Sequence, residues 1–210
     1  MNTSERKDFD KEAAAWDEDP GRVKLASDMA DAIIRESGPT GAMDVLDFGC
    51  GTGLVTLRLQ PLVRTITGAD SSKGMLGVLE SKMRARGLSN VRTQLVDFEK
   101  GERIEGRFHL VISSMTLHHV SDTAFLFKQW YDLLLPGGIL CAADLDTEDG
   151  SFHLNNTGVF HLGFDREQLR TLMQKVGFRD VRAVTAATVA RDIKGKGKWE
   201  FPVFLMLAKR

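Results

Sequence analysis

One pattern repeats from residue 45 to residue 145: a short apolar run, a turn, and a stretch whose apolar residues recur at helical spacing. The runs at 45–48, 65–69, 91–96, 108–113 and 139–145 have strand length, and FHLVIS at 108–113 reads as a strand buried on both faces. Leu54, Val55 and Leu57 begin a helix that ends before Pro61. Met75, Leu76, Leu79 and Met83 mark the face of a second. Phe125 to Leu134 form a third, which Pro136-Gly137-Gly138 ends. Strands alternating with helices need right-handed crossovers, and these build a parallel sheet with helices on both faces. Before the repeat, a helix over 21–37 carries Met29, Ala30 and Ile33 on one face and stops at Gly38-Pro39. After it, Asp165 and Gln168 form a capping box for a helix over 165–176, which Gly177 ends. The runs 179–189 and 199–208 have no helix between them, so they pair antiparallel at an edge, with KGKGK as a solvated hairpin loop.

In such sheets ligands bind beyond the carboxyl ends of the strands, at the switch point of strand order. Gly49, Gly51 and Gly53 follow the first strand there, in VLDFGCGTGL. A dinucleotide fingerprint would need its third glycine at Leu54, and a phosphate loop would need Gly-Lys-Ser/Thr, which is missing. By themselves the glycines signal only a tight turn. Asp70 ends the second strand, where a carboxylate can accept from a ribose diol, although an N-cap role is the plainer alternative. Asp97 ends the third strand and could accept from an adenine amino group, with Phe98 and Met75 as apolar walls.

VLDFGCGTG with Asp70, VDFE, LVISSMTLHHV and LLLPGGIL together resemble the class I S-adenosylmethionine-dependent methyltransferase family. The likeness is greatest to the small-molecule branch with the ubiquinone/menaquinone methyltransferases, and the N-terminal FDKEAAAWDEDPGR of this chain also resembles the opening of that branch. The resemblance implies an α/β, Rossmann-like three-layer sandwich: a seven-stranded, mostly parallel sheet with an antiparallel C-terminal edge hairpin. It implies S-adenosyl-L-methionine as cofactor, leaving S-adenosyl-L-homocysteine. Asp47 would lie near the methionine amino group, Gly49, Gly51 and Gly53 beside the cofactor, and Asp70 on the ribose. Ser71 and Met75 would flank the adenosine, Asp97 and Phe98 the adenine, and Ser113 and Ser114 the methionine end. Phe9 and Trp16 would belong to an N-terminal lid, within a single domain over 1–210 that has a substrate-side insertion at 146–164.

His109 stands where the family usually has Asp and reads as structural. SSMT at 113–116 lacks the proline motif of nucleobase and glutamine methyltransferases, which points away from those acceptors. If the acceptor must lose a proton, histidines are the candidate bases, His119 and His161 first, with His118 and His153 behind them. No His/Cys/Asp cluster has metal-ligand spacing, so no metal is expected. A net charge of −1 gives no pull toward nucleic acid. Two isolated cysteines, no apolar stretch of membrane-spanning length and a polar N-terminus make the expected setting cytoplasmic, as a monomer or homodimer. The expected activity is methyl transfer to a small molecule. The rivals are a non-catalytic cofactor-binding subunit, a methyltransferase acting on protein or RNA, and a nicotinamide oxidoreductase, which Leu54 disfavours.

Overall fold

The computed structural model describes residues 7–193 and 197–210. The first six residues, and Lys194, Gly195 and Lys196 of the expected hairpin loop, lie outside the described residues. β1 (Asp44–Phe48), β2 (Thr65–Asp70), β3 (Val91–Leu95), β4 (Phe108–Ser114) and β5 (Leu134–Leu145) run parallel. β6 (Arg179–Ile193) and β7 (Gly197–Lys209) are antiparallel to each other, and β7 pairs antiparallel with β5. The sheet order is β3-β2-β1-β4-β5-β7-β6, so the last strand sits inside the sheet and β6 forms the edge. The chain steps outward from β1 to β3 and then returns beside β1 as β4. That reversal places the switch point at the carboxyl ends of β1 and β4.

The central strands are apolar on both sides because helices cover both faces. Leu110 and Ile112 of β4 pack with Met29 and Ile33 of α2 (Pro20–Ser37) and with Val55 and Leu59 of α3 (Leu54–Leu59). Val111 between them faces Phe127 and Trp130 of the helix Thr123–Leu133. β7 repeats the division: Val203, Leu205 and Leu207 join the first cluster, Phe204, Met206 and Ala208 the second. Each fully buried aliphatic or aromatic side chain contributes about 1.5–3 kcal/mol, so this double burial is the main stabilising term.

Helix ends follow the expected chemistry. Asp19 caps α2 by accepting from the Gly21 and Arg22 amides, Pro20 fills the first turn, and Gly38 ends the helix at φ +57°. Asp165 accepts from the Gln168 amide at the start of the helix Arg166–Val176, which Gly177 ends. Two boundaries move. The helix expected to reach Leu134 stops at Leu133, and β5 begins at Leu134, which pairs with Phe108. The ladder then shifts register before Leu110 and Ile139, a bulge that accommodates Pro136, with no amide to donate, and Gly137 at φ +78°. The closing hairpin extends beyond the runs at 179–189 and 199–208, because Ala190 to Ile193, interrupted by charged Arg191 and Asp192, still pair with Gly197 to Glu200.

Candidate functional site

The glycine turn lies against the end of β2: the Gly49 and Cys50 amides both donate to the Ala69 carbonyl, at 2.8 and 3.2 Å. All three glycines have positive φ, but they are required for different reasons. A Cβ on Gly49 would stand 2.3 Å from Thr116 Oγ1, and one on Gly53 would stand 2.4 Å from Leu79 Cδ1. These two are small so that the protein can close on itself. A Cβ on Gly51 would meet only Met75 Sδ, at 4.0 Å, so that side of the turn is open to a ligand.

Asp70 locks the turn in place. Its Oδ2 accepts from the Gly51 amide at 2.8 Å and its Oδ1 from the Ser72 amide at 2.8 Å. A carboxylate has about four acceptor sites, so both oxygens keep capacity for a diol. Capping falls instead to Ser72, whose Oγ accepts from Met75 N at the start of α4 (Lys73–Ala85). Burial raises the Asp70 pKa above the usual carboxylate range. Asp47, beneath the turn, is buried and accepts from Thr56 Oγ1 at 2.5 Å. Burial, reinforced by the nearby charge of Asp70, lifts it to about 7 despite the Thr56 bond.

At the next strand tip, Val96 N donates to the Asp70 carbonyl and so holds Asp97 beside β2. Asp97 Oδ2 pairs with Lys100 Nζ at 2.9 Å. Phe98 turns into a ring cluster, 5.8 Å from Phe48 and 5.4 Å from Phe125. Met75 is buried, and Ser71 is exposed at the bend before α4. Ser113 is buried at the end of β4, with an Oγ that has no hydrogen-bond partner among the described residues. Ser114 follows it, half-buried, and Met115 then takes φ +55°, which bends the chain out of the strand.

The N-terminal segment folds over these tips. Asp10 Oδ1, in α1 (Phe9–Glu12), accepts from Ser72 Oγ at 2.5 Å and Gly74 N at 2.7 Å. Asp17 accepts from Thr52 Oγ1 at 2.6 Å and from Lys82 Nζ, which also reaches the Thr52 carbonyl. Phe9 and Trp16 meet edge to face at 5.9 Å, and Arg22 stacks on Trp16. Phe9 also touches His119, 5.2 Å away. None of Asp10, Asp17, Thr52 or Lys82 was singled out by the sequence reading.

Beyond β4 three histidine rings gather. His118 and Asp144 are both buried, with Nδ1 2.8 Å from Asp144 Oδ1 and the His118 amide donating to Oδ2. Burial alone would raise Asp144, but the His118 charge and hydrogen bonds outweigh it and its pKa is lowered. An acid within the apolar run 139–145 was the sequence signal for this pair. His119 Nδ1 donates to the Gly158 carbonyl at 2.7 Å, which leaves Nε2 as the acceptor nitrogen. Burial, then the charge of His118, pushes His119 down to about 3, so it stays neutral. His161 Nε2 donates to the Val120 carbonyl at 2.9 Å, so both rings pin segment 146–164 to the turn after β4. His109 Nδ1 accepts from the Asp44 amide, a structural bond between β4 and β1. No group of His, Cys, Asp or Glu among the described residues can hold a metal ion. No helix among them is long and apolar enough to cross a membrane.

A family described as a methyltransferase domain matches residues 45–138, from β1 to the bulge of β5. The chain is 30% identical over 200 residues to an uncharacterized methyltransferase of Schizosaccharomyces pombe, covering 88% of this chain and 68% of that one. It is 29% identical over 112 residues to a ubiquinone biosynthesis O-methyltransferase of Rhizobium leguminosarum bv. trifolii, covering 53% of this chain but only 44% of that protein. Among solved structures, a chain of the Haloferax volcanii complex between the Trm112 methyltransferase activator and a methyltransferase superposes with a TM-score of 0.76. It has 16% identity and covers 98% of this chain and 99% of that one. Phosphoethanolamine N-methyltransferase 2 of Haemonchus contortus, with S-adenosyl-L-methionine bound, gives a TM-score of 0.71 at 16% identity, covering 96% and 60%. The chain belongs to the class I S-adenosylmethionine-dependent methyltransferases.

Proposed function

We propose that this methyltransferase acts on a small-molecule acceptor and holds its cofactor across the tips of β1 to β4. The observation that carries the reading is the bond from the Gly51 amide to Asp70, which fixes a turn whose open side faces away from the protein. In this arrangement Asp70 accepts from the ribose hydroxyls, with Ser71 and Met75 beside the adenosine. Asp97 and Phe98 border the adenine. Asp47 faces the methionine ammonium, Gly49, Gly51 and Gly53 line the turn, and the unpartnered Ser113 hydroxyl and Ser114 serve the methionine end. Phe9 and Trp16 close the site from above. The relatives named for ubiquinone biosynthesis O-methylation support a small acceptor, and a net charge of −1 gives no overall pull toward a polyanion.

Bound there, S-adenosyl-L-methionine supplies a methyl group on a sulfonium that leaves readily. The chain therefore has to align the acceptor, keep water out and, where the acceptor loses a proton as it reacts, receive that proton. The N-terminal segment and the loop at 146–164, pinned by His119 and His161, enclose the acceptor side.

Titration calorimetry with S-adenosyl-L-homocysteine tests the cofactor site. Binding is expected, and Asp70→Ala should weaken it by about tenfold or more, as loss of hydrogen bonds to a charged group does. No binding by the intact protein sinks the reading. A screen of metabolite acceptors for methylated product separates an enzyme on small molecules from a binding subunit or a protein or RNA methyltransferase.

A further inference from the structure

Next to the cofactor turn, the three histidines form a group with unequal roles. The His118 and His119 ring centroids are 4.1 Å apart, and those of His118 and His153 are 4.9 Å apart. Among these three rings Asp144 bonds to His118 alone, so a buried counter-charge lies against that one imidazole. Burial, then the charge of His118, holds His153 down to about 4, as it holds His119 down to about 3. His153 Nε2 is buried with no hydrogen-bond partner among the described residues. An unpaired buried nitrogen carries an uncompensated desolvation cost, and a ligand that supplies the missing bond removes it. Lys7 and Arg191 also act on His153 as positive charges, so the electrostatics of this corner favour an incoming anion. Phe9 over His119 and Phe152 against His153 give the corner aromatic walls.

We propose that this corner is the acceptor subsite, that the acceptor presents an acidic hydroxyl such as a phenol or enol, and that His118 takes its proton. The inference rests on the methyl-transfer reading above and names the substrate class for it. An amine attacks through a free lone pair, whereas a hydroxyl is a weak nucleophile until its proton leaves. Asp144 positions His118 by accepting from Nδ1–H, which fixes Nε2 as the base and stabilises the imidazolium that forms. His153 Nε2–H donates to the acceptor oxygen as it gains negative charge. That oxygen bonds to the methyl carbon as the carbon–sulfur bond breaks, and the electron pair of the broken bond stays on sulfur. The products are a methyl ether, neutral S-adenosyl-L-homocysteine and a proton on His118 Nε2, which leaves to solvent.

The test uses 4-nitrophenol, whose phenolate absorbs in the visible, with full-length protein saturated with S-adenosyl-L-homocysteine. The ionisation midpoint of the bound probe should fall by about one pH unit, as a facing imidazole and two cations dictate. His118→Gln should abolish that shift while binding S-adenosyl-L-homocysteine within about threefold of the unaltered chain. His153→Gln should weaken the probe by about tenfold. In the unaltered protein, nitrogen NMR of labelled histidine should show His118 Nε2 gaining a proton when the probe binds, a readout independent of whether any variant folds. An unshifted midpoint, an unchanged His118 signal, or anilines methylated in place of phenols overturns the proposal while cofactor binding stands. Failure to bind S-adenosyl-L-homocysteine overturns the cofactor reading itself, and this proposal with it.

Discussion

Asp10 and Ser72 are 62 residues apart in sequence, yet the Asp10 carboxylate accepts from Ser72 Oγ at 2.5 Å while Ser72 caps α4. The start of the chain thus completes the N-terminus of the helix beside the Asp70 strand tip. Asp10→Ala should remove about 0.5–2 kcal/mol, the usual range for a lost cap. Weaker S-adenosyl-L-homocysteine binding and faster protease cleavage before Pro20 should accompany it. Gly74→Ala should loosen the same contact, because its Cβ would stand 3.0 Å from the Asp10 backbone. Limited proteolysis with and without ligand reads both variants.

The glycine turn predicts a division between stability and binding. Gly49→Ala combines left-handed strain with a clash against Thr116 and should cost roughly 2–5 kcal/mol. Gly51→Ala has only the strain, about 1–2 kcal/mol, but it fills the open side. Chemical denaturation should rank Gly49→Ala as the less stable protein, and calorimetry should find ligand affinity lost in Gly51→Ala while that protein remains folded.

Asp47 gives stability a pH dependence of defined sign. Its folded pKa, about 7, lies above its ordinary value of 3.8, chiefly because burial disfavours the charge. The protonated form is therefore the stabilised one. Its contribution is complete below about pH 4 and is lost as pH rises to 7, by at most roughly 4 kcal/mol. Urea midpoints at pH 5 and pH 8 should converge in Asp47→Asn relative to the unaltered protein. A bound ammonium favours the carboxylate, so affinity for S-adenosyl-L-homocysteine should increase over the same interval.

Asp144 acts with the opposite sign. Its lowered pKa makes its contribution present above 3.8 and lost as pH falls through the folded value. Removing one partner of a buried pair typically costs about 3–5 kcal/mol, so Asp144→Ala should be strongly destabilised. Asp144→Asn keeps the volume and should cost less. Thermal melts at pH 7 compare the two.

The layers were legible because alternating clusters at β4 and β7 need apolar residues on both sides, and that leaves continuous runs in the sequence. The start of β5 was not legible. Pro136-Gly137-Gly138 carries the usual signal for a helix end, and only pairing with Phe108 shows that Leu134 already belongs to the sheet. The positions of Asp47, Asp70 and Asp97 were readable because each sits at or just past the carboxyl end of a strand. Asp10 and Asp17 were not, since their partners lie 35 to 65 residues away and no local spacing encodes them. Adjacent histidines in a tight turn give no periodicity to tell which ring points inward, so His118 stood behind His119 until Asp144 was found against it.

From Phe9 to Glu18, Ala13 is the one buried residue. The segment is thus tied down by hydrogen bonds and ion pairs while contributing almost nothing to the core. Its amides should exchange with solvent deuterium at a rate set by local release, far ahead of those in β1, β4 and β7, whose exchange awaits global unfolding. Such a segment opens and recloses many times within the lifetime of one folded molecule, so cofactor turnover and structural persistence run on separate clocks.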